Sequence, residues 1–492
     1  MCRRFVISGS GKLWLTERGL PPRLKPGSFR GSYGAAEAVP LQIRNLIRYF
    51  LAWLLLVWAA MPACARTRPH YGGTLRIETE GDPWQTPDGI ARRLVLDTLT
   101  TVDDGGGARS ALAVRWESQN ADHRWEFWIR TGVHFQDGTL LTPDAVAAAL
   151  DETCSHAGAA CPWRAAHAVG PSVIFTSDSP APDLPELLGQ TAFAIARQDA
   201  TGAVVGTGPF RVTGFVNGAL TLVANDDCWA GRPFVDAVEV RSRRMVRDQW
   251  LDLSVGKADI VEVPPELVRQ AQQQHLNVLV SRPVDLLALT IAPDSAMASR
   301  EMRQAAALAV DRTALYNVIF QKQGEVTASL LPEGLSGYSF LFPSAQDLDR
   351  ARALRGGTGG SGLTLSASDT SAPMQLAAER LALNLHEAGF NVQMAPANAH
   401  QAPLQLRRVH LEAGSPRAAF DEMLLRLGQN GTVTGTDAAA LWNAERGILD
   451  NETVVPLLWL PRAWAAGERV RDLRLAVDGE PLLADASVEG GK

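Results

Sequence analysis

The residue types that carry most enzyme chemistry are present in this chain, but they are not arranged in catalytic patterns. No two of its nine histidines lie three or four residues apart, so none form the helical pair that binds zinc. The sequence also lacks H-E-x-x-H, C-x-x-C, G-x-S-x-G and phosphate-loop patterns. The close carboxylates Asp226 with Asp227 and Asp347 with Asp349 fall in predicted turns or helix starts, where local hydrogen bonding explains them. We therefore expect no catalytic residue, no metal and no cofactor.

Two of the five cysteines are spaced for a small disulfide. Cys154 and Cys161 would close a short loop in an oxidising compartment, and two free buried thiols are the alternative.

The N-terminal part has the features of an export signal. Arg44 and Arg48 precede an apolar run of 13 residues that ends at Met61, and small residues follow at Ala63-Cys64-Ala65. This run is short for a membrane span and suits a cleaved signal. We predict a signal peptide over 41–65 and a periplasmic protein. A membrane anchor, or a lipid anchor at Cys64, is the alternative.

Residues 1–40 are rich in Gly, Arg, Pro and Ser and have no sustained periodicity, so we predict a non-native or disordered extension outside the fold. Residues 1–65 hold nine of the 47 Lys and Arg and two of the 53 Asp and Glu. The remainder therefore carries a formal charge of −13, against −6 for the whole chain. Such an acidic protein without a basic block is not expected to bind nucleic acid.

The elements that must position any binding site alternate between strands and helices. An alternating strand over 72–80 ends in a loop with Trp84, and a helical stripe follows it up to Leu99. Strands are predicted over 112–118 and 124–130, and helical spacing returns from Ser299 to Ile319. This alternation indicates an α/β fold.

The stretch from Trp125 to Leu150 reads WEFWIRTGVHFQDGTLLTPDAVAAAL and has three parts. Trp125, Phe127 and Ile129 share one face of a strand. A polar turn follows, and Thr142-Pro143 then provides an N-cap hydroxyl and a proline at the first helical position.

This stretch resembles a signature of the family 5 extracellular solute-binding proteins, the peptide- and nickel-type binding subunits of ABC importers. Four further blocks resemble the same family in the same order: Gly206-Thr-Gly-Pro-Phe210, Asn225-Asp-Asp-Cys-Trp-Ala-Gly-Arg-Pro-Phe-Val-Asp236, Leu253-Ser-Val-Gly-Lys-Ala-Asp-Ile260 and Met302-Arg-Gln-Ala-Ala-Ala-Leu-Ala-Val-Asp-Arg312. The resemblance extends from about Gly72 to Met394.

The resemblance implies a type II periplasmic-binding-protein clamshell of two lobes with an additional small inserted domain. Lobe one is expected from three segments, lobe two from one shortened segment, and the inserted domain from the remainder. The expected boundaries are 66–105, 201–282 and 453–485 for lobe one, 106–200 for the inserted domain, and 283–452 for lobe two. A hinged cleft of this kind buries a ligand and excludes water when the lobes close.

Eight residues are candidate ligand contacts. Trp84 could stack on a ligand or pack in the core. Thr207, Gly208 and Phe210 lie where the family chain passes near the cleft floor, and Trp229 is either a contact or a structural residue. The basic residues Arg407, Arg408 and His410 would favour an anionic ligand, unless they are solvated surface charges.

The segment 396–428 departs from the family pattern. Peptide-binding members usually have a Trp-x-x-Asp-Tyr-type segment whose acid pairs with the peptide amino terminus, and this chain has none. We expect a monomeric, exported protein that captures a peptide or other small polar solute for an ABC permease. A degenerate envelope sensor or interaction module is the first alternative. An exported hydrolase is the second, and it would need a nucleophile cluster.

Overall fold

A computed structural model describes residues 71–489, apart from 85–88, 104, 157–160, 162, 200, 217, 294–296, 338–341, 357–361, 398, 400, 432, 434 and 436–437. The predicted extension over 1–40 and the predicted signal peptide over 41–65, with Cys64, lie outside the described residues.

Helices and strands alternate along the described chain, as predicted. The strands are β1 Thr74–Glu78, β2 Thr100–Val102, β3 Ala108–Ser110, β4 Ala113–Gln119, β5 Arg124–Ile129, β6 Ala165–Val169, β7 Ser172–Thr176, β8 Arg197–Gln198, β9 Val204–Val205, β10 Phe210–Val216, β11 Ala219–Ala224, β12 Ala237–Arg241, β13 Ile260–Glu262, β14 Asn277–Ile291, β15 Glu325–Val326, β16 Leu363–Ala367, β17 Val392–Met394, β18 Leu404–His410, β19 Val454–Ala466, β20 Val470–Arg471 and β21 Ser487–Val488. The α-helices are α1 Ile90–Val95, α2 Pro143–His156, α3 Leu184–Leu187, α4 Val246–Ser254, α5 Val268–Gln273, α6 Arg300–Ala309, α7 Arg312–Ala314, α8 Glu333–Ser336, α9 Leu348–Arg355, α10 Ala372–Glu387, α11 Pro416–Leu427 and α12 Ala438–Leu449. Short 3₁₀ turns cover Thr191–Phe193 and Pro265–Leu267, and a π-helical turn covers Leu315–Ile319.

Two long antiparallel strands, β14 and β19, connect the two lobes. The main sheet runs β10-β11-β12-β1-β13-β19-β14-β18-β16-β17. The pairing of β14 with β19 shifts register on both sides of Pro283. Before the shift, Asn277–Val280 pair with Ala463–Ala466 beside β13; after it, Asp285–Thr290 pair with Val454–Leu460 beside β18. We infer that the lobes meet at this irregularity.

The sequence of β14 explains why its second half lies in the centre of lobe two. Its residues from Val284 to Leu289 are buried without alternation, which is typical of a strand covered on both faces. Leu287 and Leu289 pack with apolar residues of α6 and α10, whereas Leu286 and Ala288 pack with those of α11 and α12.

The predicted lobe boundary at residue 453 differs from the packing. Val455, Leu457, Leu458 and Leu460 lie in the same core as α6, α10 and β16, which belongs to lobe two. Trp464 and Ala466, at the other end of β19, lie in the lobe-one core with Leu75 and Val238. The strand is 13 residues long and therefore contributes to both lobes, so the crossing falls near Pro461 and Arg462.

The small domain is a four-stranded antiparallel sheet in the order β4-β5-β7-β6, covered by α2. Trp125, Phe127 and Ile129 face its core together, as the alternation predicts. The Thr142 hydroxyl accepts a hydrogen bond from the Ala145 amide at 3.2 Å and so caps α2.

Two predicted helices end earlier than the apolar spacing suggests. The first stops at Val95, since Leu96 is extended and Asp97 pairs with Ile195. The helical run from Ser299 breaks at Val310, where Asp311 caps a new turn by accepting a hydrogen bond from Ala314. No helix among the described residues is both long enough and apolar enough to cross a membrane.

Candidate functional site

The carboxyl ends of parallel strands from both lobes lie at the boundary between the lobes. In lobe one, β1 and β13 run parallel and end at Glu78 and Glu262. In lobe two, β16 and β18 run parallel and end at Ala367 and His410. Ligands of open α/β sheets bind beyond such strand ends, so this cleft is the candidate site.

Glu412, just after β18, links lobe two to the other parts of the molecule. Its Oε1 accepts a hydrogen bond from Arg426 of lobe two at 2.7 Å, and its Oε2 accepts one from the Thr191 amide at 2.7 Å. Arg93 of α1 lies 3.8 Å from the same Oε2. The side chain is almost fully buried. One carboxylate therefore joins lobe two to the small domain and to α1.

Backbone contact reinforces this link. Gly106 of the β2–β3 turn has a φ of +83°, and a Cβ there would overlap the Gly414 carbonyl. A Cβ on Gly414 would lie 2.7 Å from the Gly106 Cα. Nearby, Arg417 lies 3.8 Å from Asp183 of the small domain. Glycine at both positions allows this close approach.

Asp285 contacts three basic side chains on the lobe-two side of the cleft. Its carboxylate lies 2.7 Å from Arg408, 2.7 Å from His410 and 3.1 Å from Arg462. Burial favours the neutral acid, but Arg462, Arg408 and His410 more than offset it and hold the pKa of Asp285 well below its usual range.

This charge network continues into the C-terminal segment. Arg462 also pairs with Glu480, and Arg93 pairs with Asp478. Burial raises the pKa of Glu480, although Arg462 and Arg93 oppose the change. The basic groups of this network are thus matched by carboxylates of the same chain.

A second group of carboxylates has fewer basic neighbours. The Glu80 amide donates to Glu262 Oε2 at 2.6 Å. Burial raises the pKa of Glu262 to about 7, and burial also raises the pKa values of Glu80 and Glu266. Asp369 of lobe two adds to the shift of Glu80 by repulsion, whereas Arg408 opposes it. The lobe-one side of this cleft is therefore acidic.

The structure brings four predicted contacts close together: Thr207, Gly208, Phe210 and Trp229. Thr207 and Trp229 both donate to Asp97 Oδ2 at 2.7 Å, and Thr207 is fully buried. Gly208 packs so tightly that a Cβ would lie 2.7 Å from the Val95 carbonyl carbon, and Phe210 is fully buried in the lobe-one core. Thr207, Gly208 and Phe210 are thus buried, whereas Trp229 stays partly exposed. Their role as ligand contacts stays a prediction.

The Asp97 carboxylate accepts the side-chain hydrogen bonds of this cluster. Burial raises its pKa, and the hydrogen bonds from Trp229 and Thr207 oppose the shift. The amide of Gln136 adds bonds to the carbonyls of Val95 at 2.9 Å and of Phe210 at 2.7 Å. Through Gln136, the stretch from Trp125 to Leu150 therefore holds the Gly206–Phe210 block against the end of α1.

The remaining predicted contacts lie in three different surroundings. Trp84 is partly buried against the lobe-one core. Arg408 and His410 face the cleft but are bound to Asp285. Arg407 lies on the opposite face of β18, where it donates to the Arg426 carbonyl at 2.6 Å and lines a separate cavity of about 360 Å³. Arg407 therefore has different partners from Arg408 and His410, and the binding of an anion by these residues stays a prediction.

Cys154 and Cys161 form a disulfide in the structure, with their Cα atoms 5.8 Å apart. Cys228 is a free, buried cysteine. Within the described parts of the chain, no group of three or more His, Cys, Asp or Glu side chains is arranged to hold a metal ion.

Sequence reasoning missed most residues that build the cleft, including Arg92, Arg93, Asp285, Glu412, Arg462, Asp478 and Glu480. One signal was available for the arginines, because Arg92 and Arg93 are consecutive charges on the side of α1 opposite its apolar residues. The others come together only through the lobe crossing.

The comparisons with known proteins agree with this architecture. The family described as bacterial extracellular solute-binding proteins, family 5 Middle, matches residues 108–429. The chain therefore belongs to family 5 of the bacterial extracellular solute-binding proteins.

Two curated relatives match over parts of their length. The probable di/tripeptide-binding protein 5 of Pseudomonas aeruginosa (strain UCBPP-PA14) is 24% identical over 63% of this chain and 66% of its own length. The HTH-type transcriptional regulator SgrR of Escherichia coli (strain K12) is 29% identical over 35% of this chain and 32% of its own. The chain thus matches less than two thirds of either relative.

Among solved structures, the oligopeptide-binding protein AppA from Bacillus subtilis in complex with a nonapeptide is similar to this chain. The TM-score is 0.72 at 15% identity, and the match covers 86% of this chain and all of AppA. This likeness shows the two-lobed fold.

Proposed function

We propose that this protein is an exported, non-enzymatic solute-binding protein. It captures a peptide or another small polar solute between its lobes and delivers it to an ABC permease in the inner membrane. It works as a monomer in the periplasm. Family membership and the resemblance to peptide-binding relatives support this function, and the observation that carries it is the cleft at the carboxyl ends of β1, β13, β16 and β18.

The cleft suits a small polar ligand for a physical reason. Both of its sides carry buried charged groups, so closure around a ligand would place polar partners where water is excluded. The acidic lobe-one side, with Glu80, Glu262 and Glu266, favours a ligand that presents an amino group there.

Thermal unfolding of the purified protein against di- to pentapeptides, sugars and metal chelates tests the proposal. Binding to the folded state alone stabilises it by about 2.7 kcal/mol at a hundredfold excess over the Kd. We expect a shift with peptides. Shifts with another solute class alone would replace the peptide by that class, and the absence of any shift would contradict the binding function.

A sensor without a transport role is the second candidate. The similarity to the regulator SgrR favours it, as do the intramolecular contacts of Glu412 that already link the lobes. Deleting the gene would then alter a transcriptional or envelope response without changing uptake of the ligand, whereas a transport protein would change uptake first.

A further inference from the structure

One arginine at the cleft differs from its charged neighbours. The helix α1 buries Ile90, Ala91, Leu94 and Val95 in lobe one and leaves two consecutive arginines on its other side. Arg93 is matched there by Asp478 and Glu412. In the part of the chain that the structure describes, Arg92 makes no ion pair, and its buried Nε has no hydrogen-bond partner.

The surroundings of Arg92 do not provide a counter-charge. Burial lowers the pKa of Arg92, and Glu412 is the carboxylate that opposes this change. Both oxygens of Glu412 are already bound, one by Arg426 and the other by the Thr191 amide. Arg93 lies beside the second oxygen. Arg92 therefore stays partly desolvated and without a bound anion of its own chain.

Two buried arginines, Arg303 and Arg312, bind backbone carbonyls with their guanidinium groups. Arg303 donates to the carbonyls of Met297 and Asn451 at 2.8 Å, and Arg312 donates to the Pro456 carbonyl at 2.8 Å. The contrast indicates that Arg92 is not placed for internal packing. Arg92 lies on α1 of lobe one and interacts electrostatically with Glu412 of lobe two, which puts it at the boundary of the two lobes.

We propose that Arg92 is the anion subsite of the cleft and binds a carboxylate of the ligand. A guanidinium group matches a carboxylate through two parallel hydrogen bonds, and partial desolvation strengthens them. A monoanion fits better than a phosphate, because the carboxylate of Glu412 repels a second negative charge. This inference rests on the proposed function and specifies one end of its ligand.

The test compares each peptide with its C-terminal amide. Calorimetric titration of wild type and Arg92→Gln with trialanine and trialanine amide measures whether the preference for the free acid depends on Arg92. Arg269→Gln, which removes an exposed arginine of α5, is the matched control. We expect wild type and the control to favour the free acid by about tenfold and Arg92→Gln to bind the two equally.

Two outcomes of the titration overturn the assignment: equal binding of acid and amide by wild type, or a preference that survives Arg92→Gln. If no peptide binds any variant, the peptide proposal fails. The subsite is then judged by thermal shifts with acetate, succinate and phosphate. A shift with a carboxylate that disappears in Arg92→Gln supports the subsite, whereas a shift with phosphate alone, or none, overturns it.

The stability of the ligand-free protein provides an independent measurement. The half-buried guanidinium group of Arg92 makes no ion pair, and the cost of its burial exceeds its attraction to Glu412, so Arg92→Gln should unfold at the same temperature as wild type or higher. A lower melting temperature would show that Arg92 stabilises the fold itself and would overturn the assignment.

Discussion

Asp285 is the residue on which the basic side of the cleft depends. Replacing it by asparagine leaves Arg408 and Arg462, both mostly buried, without their shared anion. We expect Asp285→Asn to lower the free energy of unfolding by about 3–5 kcal/mol, as removal of one partner from a buried ion pair does. Chemical denaturation measures this change, and a loss below about 1 kcal/mol would contradict the assigned role.

The lowered pKa of Asp285 also predicts how the stability of the protein changes at acid pH. Its folded pKa lies below its unfolded value, so its contribution is complete above a pH of about 4 and is lost as the pH falls towards the folded pKa. The stability difference between wild type and Asp285→Asn should therefore shrink below pH 4. A difference that stays constant down to pH 2 would contradict this.

The raised pKa of Glu262 predicts a pH dependence of stability with the opposite sign. Its folded pKa of about 7 lies above the unfolded value, so the protein loses stability as the pH rises from about 4.5 to 7. Glu262→Gln removes this loss and should stabilise the protein at pH 8 by about 1–3 kcal/mol, with little effect at pH 4.5. Urea unfolding at both pH values measures it. Glu117→Gln, at an exposed position, is the control and should show no such pH dependence.

Among the elements, the Gly206–Phe210 block and the end of α1 depend on each other for close packing. A Cβ at Gly206 would overlap the Val95 carbonyl oxygen and lie 3.0 Å from the Leu96 Cα. Gly206→Ala should therefore lower the free energy of unfolding by about 1–3 kcal/mol. Gly447→Ala, in α12 with open space around it, should be neutral or stabilising. Equal effects of the two substitutions on denaturation midpoints would contradict this packing.

The elements themselves could largely be predicted, because their signals are local. The alternation of Trp125, Phe127 and Ile129 predicts β5, and Thr142-Pro143 predicts the start of α2. The end of α1 could not be predicted, since the pairing of Asp97 with Ile195 ends the helix against its apolar spacing. The residues of the cleft could not be predicted for a related reason. Arg408 is adjacent to Asp285 only because β18 pairs with β14.

At the scale of the whole molecule, Glu412 links lobe two to the small domain and to α1. Glu412→Gln leaves Arg426 with Glu422 at 2.8 Å and Arg93 with Asp478, so the fold should persist while the link weakens. We expect a larger radius of gyration for the ligand-free variant in small-angle X-ray scattering than for wild type. An unchanged radius would show that the backbone contact of Gly106 with Gly414 suffices to hold the lobes.

The central claim, that a ligand is held between the two lobes, is tested most directly by hydrogen–deuterium exchange. The purified protein is compared with and without a saturating pool of tri- and tetrapeptides. Because a ligand in the cleft stabilises both of its sides, we expect slower exchange in segments 78–84, 89–93 and 408–417 together, and no change in the helix α9, which provides none of the cleft residues. Unchanged exchange in both segments, or protection confined to one lobe, would contradict the account.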